Sequence, residues 1–151
     1  MTRARKLGLA AVALVALAQL VRFSHENPPP NGAAKLPPDV EPLLRRACFD
    51  CHSNETRWPW YGAVAPASWL VHRDVVDGRK HLNFSTWGTL PDDRRARKQR
   101  GIAKAVASGE MPMWFYVPLH PEAKLTPDEK ERISAWARGP VAPVDAIGPG
   151  P

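Results

Sequence analysis

Proline sets the outer limits of what this chain can fold. Pro28, Pro29, Pro30, Pro37 and Pro38 crowd the stretch before residue 39, and Pro140, Pro143, Pro149 and Pro151 crowd the end. Each fixes φ near −65° and removes a backbone donor, so neither stretch can run as helix. Sustained apolar periodicity is confined to residues 39–139, about a hundred residues and the size of one small domain. Residues 23–38 read as a proline-rich linker and 140–151 as a disordered Pro/Gly tail.

Residues 1–22 separate on composition. Arg3, Arg5 and Lys6 precede a run from Leu7 to Val21 that is apolar apart from Gln19. A basic start before an apolar stretch is the pattern of a secretory signal. Ala16-Leu17-Ala18 offers a small-x-small cleavage site, but no polar spacer precedes it, so an uncleaved anchor is equally open. Both readings send the domain out of the cytoplasm, into the periplasm or onto the periplasmic face of the inner membrane. Without Arg3, Arg5 and Lys6 the formal charge falls from +6 to +3, so the basic balance partly belongs to the targeting segment. Nucleic acid is not expected as a partner.

The only two cysteines lie in Cys48-Phe49-Asp50-Cys51-His52. A structural zinc site would need two more ligands at suitable spacing, and the five histidines form no tight His-x₃₋₅-His pair. A thioredoxin-like dithiol would need a βαβ setting, and the region before Cys48 reads as helix. Covalent attachment of haem uses the pentapeptide whole. Each thiol adds to one vinyl group, the two intervening residues let both sulfurs reach one porphyrin edge, and the next residue places its imidazole under the iron. That attachment is made outside the cytoplasm, which agrees with the N-terminal segment. One haem c per chain is the expected cofactor.

The expected fold is all-α: a cytochrome-c-like bundle of four or five short helices around one covalently attached haem, preceded by the N-terminal hydrophobic helix. Val40, Leu43, Leu44 and Ala47 make an apolar stripe on a helix over 40–50, with Asp39 as its cap. Further helices are predicted over 68–79 and over 92–108, the latter stopped by Gly109. The last spans about 126–138, with Thr126 as cap, Pro127 at the first position and Glu129 closing a capping box.

Four segments then carry a family resemblance. They are Cys48-Phe-Asp-Cys-His-Ser-Asn-Glu-Thr-Arg-Trp-Pro-Trp-Tyr, Gly78-Arg-Lys-His-Leu-Asn-Phe-Ser, Gly109-Glu-Met-Pro and Leu119-His-Pro-Glu-Ala-Lys-Leu-Thr. Together they resemble the bacterial haem-binding domain family, over roughly residues 38–138. The resemblance implies haem binding and electron transfer by a small exported or membrane-anchored protein, and it names no redox partner.

Met111 is the expected sixth iron ligand, because it follows the third predicted helix and precedes Pro112 in the loop before the last one. A thioether favours ferrous iron. Met113, His72, His81, His120 or no ligand at all remain alternatives, and His25 reads as solvated. Trp58 and Trp60, close behind the motif, are candidate haem contacts. The basic run Arg94, Arg95, Arg97, Lys98 and Arg100 reads as a solvated face, a docking patch for an acidic redox protein, or partners for haem propionates. The function expected is one-electron transfer rather than enzymatic turnover. The alternatives are a haem-based ligand sensor or peroxidase-like enzyme with a displaceable sixth position, and an exported thiol–disulfide oxidoreductase. The sequence leaves the oligomeric state open.

Overall fold

A computed structural model describes residues 2–144. Among these residues the fold is helical, with α1 (Arg3–Ala18), α2 (Glu41–Ala47), α3 (Phe49–His52), α4 (Ala67–His81), α5 (Asp92–Ser108) and α6 (Pro127–Arg138). Short 3₁₀ turns at Trp60–Ala63, Phe84–Thr89, Val117–Leu119 and Pro121–Ala123 join them. No strand forms, and one isolated bridge pairs Ala34 with Val144.

The all-α expectation holds, and the two helices with the clearest end signals fall where those signals put them. α5 stops at Gly109, whose φ of 76° is left-handed and suits a residue without Cβ. α6 carries the full capping box, Thr126 accepting from the Glu129 N–H and Glu129 accepting from the Thr126 N–H. The helix expected over 40–50 differs. It breaks at Cys48 (φ −131°, ψ −36°), which ends α2 and opens α3. Val40, not Asp39, stands at the N-cap, with no side-chain cap bond. The break turns the motif out of line with α2.

α5 and α6 pack against each other, and α2 lies across α6, where Arg46 pairs with Glu129 at 2.5 Å. The core between them holds Leu44, Phe49, Phe84, Trp87, Val106 and Ile133. Phe49 stacks on Phe84 with ring centroids 5.0 Å apart. Burial of side chains this size supplies about 2 kcal/mol each.

Both proline-bearing flanks lie on this core. The extended stretch before α2 donates from Asn31 and Ala34 to the carbonyls of Ser85 and Phe84. At Gly32, whose φ is 68°, an added Cβ would stand 3.1 Å from the Gly88 Cα, so the strap needs glycine there. At the other end Ala142 is buried. Its N–H donates to Gln99 Oε1 and its carbonyl accepts from the Trp87 indole N–H. The start of the stretch read as a disordered tail is therefore tied down through Val144, and its remainder, 145–151, lies outside the described residues. α1 buries no residue, and no helix among the described residues is long and apolar enough to cross a membrane. Its C-terminal end is held by Gln19, which exchanges two hydrogen bonds with the backbone of Ala65.

Candidate functional site

α3 is one turn long and exists to present the motif. It is held against α4 by Gly78, where a Cβ would come within 2.5 Å of the Cys51 carbonyl oxygen. That approach lets the His52 Nδ1–H donate to the carbonyls of Gly78 at 3.0 Å and Leu82 at 3.2 Å. The tautomer is thereby set, and Nε2 keeps its lone pair for a metal. Burial, the largest cause, lowers the His52 pKa below the ordinary histidine value, so the ring is neutral. Burial also pushes both thiols, Cys48 and Cys51, up to about 12. No disulfide joins them.

The segment after the motif is stitched to α4 and to the strap. Arg79 donates to the Ser53 carbonyl, Thr56 Oγ1, Asn27 Oδ1 and the Glu26 carbonyl. Ser85 Oγ accepts from the Asn54 N–H, and Asn83 both donates to Asn54 Oδ1 and caps the Ser85 N–H. Two separate blocks, 48–61 and 78–85, thus form one hydrogen-bonded unit.

On the other side of His52 the molecule is open. A cavity of about 430 Å³ is lined by Cys48, His52, Leu82, Met111 and the α5 face bearing Gly101 and Ile102. A void of about 20 Å³ beside it is bordered by both cysteines, His52, Met111 and Met113. The structure therefore brings Cys48, Cys51, His52 and Met111 to one place. His81 also borders the larger cavity. His72 does not; its ring stacks on Phe23 at 4.3 Å. His120 lies at a second cavity of about 160 Å³, which Cys51 and Met113 also border, and it is hydrogen-bonded to Tyr61 at 2.6 Å and stacked on Tyr116. Neither candidate tryptophan lines the cavity beside His52. Trp58 stacks on His25 at 4.4 Å, and Trp60 is 82 % exposed.

A flat macrocycle fits these walls on an observation of the chain itself. Gly101 sits in the middle of α5, where glycine costs roughly 1 kcal/mol against alanine. No atom lies within 4 Å of a Cβ built on it. Gly101 is exposed and borders the cavity, so the α5 face there is open enough for a flat group to lie against it. Among the described residues no three His, Cys, Asp or Glu side chains converge to hold a bare metal ion.

A family model described as the haem-binding domain matches residues 12–139. The chain belongs to the haem-binding domain family. The match reaches from within α1 to the residue after α6 and includes the motif, the Gly78–Ser85 block and Met111. Comparison with curated proteins and with solved structures gave no match. Haem is the cofactor this family membership supports.

The sequence reading missed Gly78 and Arg79 as parts of the site, although both stood in a quoted segment. A glycine followed by arginine inside a helix pattern was the available signal. It also missed Gly101, whose mid-helix position could have been noticed.

Proposed function

We propose that this haem-binding domain carries one haem c, joined by thioethers at Cys48 and Cys51, and serves as a one-electron carrier outside the cytoplasm. When bound, the haem iron supplies the redox couple. His52 gives Nε2 as the proximal ligand, held by its Nδ1–H bonds to Gly78 and Leu82. Met111, from the loop after α5, would offer its thioether as a second ligand. The single observation that carries the reading is that Cys48, His52 and Met111 line one cavity of about 430 Å³, with Cys51 joining them around the small void beside it.

Two further observations support it. Thiols that burial pushes up to about 12 do not present the thiolate a redox dithiol needs near neutrality. Leu82, Ile102 and Val106 give the cavity an apolar wall suited to a porphyrin face. The basic start of α1 and its exposed apolar length support export, with the domain periplasmic or tethered to the inner membrane and its partner a second redox protein. No substrate is turned over in this reading.

Acid–organic extraction of protein matured in a cytochrome-c-competent host tests it. The haem should stay on the chain, the spectrum should be low-spin, and the near-infrared methionine–iron band should vanish in Met111→Ala. Colourless protein, or haem that washes out, ends the covalent reading. Rapid carbon monoxide binding to the reduced form would replace the carrier by a ligand sensor or peroxidase with a displaceable sixth position.

A further inference from the structure

In that reading only the apolar part of the α5 wall has a role. This face is split. Ile102, Ala105 and Val106 are apolar, while Arg97, Lys98 and Lys104 are cationic, and Gly101 lies between the two basic groups. Haem is split in the same way. Its ring is apolar, and its two carboxylates sit on the edge opposite the vinyl groups. With the vinyl edge fixed at Cys48 and Cys51, the carboxylate edge must leave the cavity elsewhere.

We infer that Arg97 and Lys104, one helical turn to either side of Gly101, form the carboxylate-binding edge of this site, each pairing with one haem propionate. The inference rests on the haem reading above and assigns residues that reading does not use. On α5 the two residues are seven positions apart, about 10 Å along the axis, with the empty space over Gly101 between them. Lys104 makes no hydrogen bond or ion pair among the described residues, and its side chain borders the cavity. Arg97 donates to Asp93 through Nη1 at 2.7 Å. Its guanidinium has five donors, so it can keep that bond and still take a carboxylate. Lys98 is committed elsewhere, its ammonium donating to the His81 carbonyl. Glu110 is the acid on the same rim and His81 the other titratable group. Both limit how far the positive edge extends.

The haem-loaded full chain tests this by resonance Raman scattering, whose propionate bending bands report hydrogen bonding at the carboxylates, and by redox titration. Lys104→Met and Arg97→Met should each shift those bands and lower the reduction potential, because the reduced haem is the more negative form and loses a nearby cation. The double variant should shift both further. Lys104→Arg should restore the wild-type bands and potential, which a merely structural role would not predict. Bands and potential unchanged in the double variant overturn the inference. So does an equal drop in potential in Lys130→Met on α6, since bulk charge would then be the cause. These outcomes are distinct from failure of the haem reading, which shows as uncoloured wild-type protein.

Discussion

Two glycines in two helices define the two sides of this site, and they could not be more different. At Gly78 a methyl group would strike the backbone of Cys51 at 2.5 Å; at Gly101 it would meet open space. The Gly78 side is complete in the polypeptide alone. Its histidine is oriented, its carbonyls are taken, and Arg79 closes the loop behind the motif with four hydrogen bonds. The Gly101 side is unfinished, a helix face with a void and, among the described residues, one unpaired cation, Lys104. The chain thus orders the side of the site that bears the Cys48–His52 motif in advance and leaves the α5 side open.

Filling the tight side should cost most. Gly78→Val forces α4 away from α3 and breaks the carbonyl contacts of His52, so a loss of about 3 kcal/mol or more is expected. Urea unfolding of the apoprotein measures it, and spectra of matured protein should show poor haem loading. A variant that unfolds like wild type would mean α4 can shift freely, and the contrast between the two helices would fail.

Removing the clasp comes next. Arg79→Met keeps the stem and loses every hydrogen bond of the guanidinium, whose pKa burial lowers. About 2 kcal/mol of stability should go with it. Hydrogen exchange should rise in residues 53–57 and in the strap near Asn27 rather than in α6. Uniform loosening of the whole domain would deny that the clasp is local.

A pH titration of the apoprotein separates the sides differently. The folded His52 pKa lies below the ordinary value because of burial. Above about pH 6.5, the unfolded histidine value, the ring is neutral in both states and nothing is lost. As pH falls below that value the unfolded chain takes up a proton that the folded chain resists, so stability declines. His52→Ala should flatten this part of the curve.

How much of this was legible in the sequence follows the same division between local and non-local physics. α5 and α6 could be bounded from residues alone because their caps are local: Gly109 at one end, Thr126, Pro127 and Glu129 at the other. Cys48, Cys51, His52 and Met111 were candidates on local chemistry and order, and the fold places them near one another. The break at Cys48 was hidden, since the apolar stripe of α2 continues past it. The packing of the strap and of Ala142 was hidden for another reason. Proline and glycine rule out helix in both flanks, but that composition is the same whether an extended segment floats or docks. Nor does an aromatic side chain carry an address. Trp58 and Trp60 follow the motif directly, yet one turns to His25 and the other to solvent.

The smallest predicted effect discriminates best, because its sign should reverse. Gly101→Ala adds a good helix former where no atom lies within 4 Å. The apoprotein should therefore gain about 0.5–1 kcal/mol. In the haem-loaded protein the same methyl group would project into the space the ring needs, so the gain should shrink or turn into a loss, accompanied by a shift in the Soret band. Gly101→Leu should enlarge the reversal, leaving apo stability near wild type while haem loading falls. Equal stabilisation of both forms would show that the ring keeps clear of α5. The cationic residues on either side of Gly101 would then be ordinary surface groups, and the open half of the site would have to be sought on another wall of the cavity.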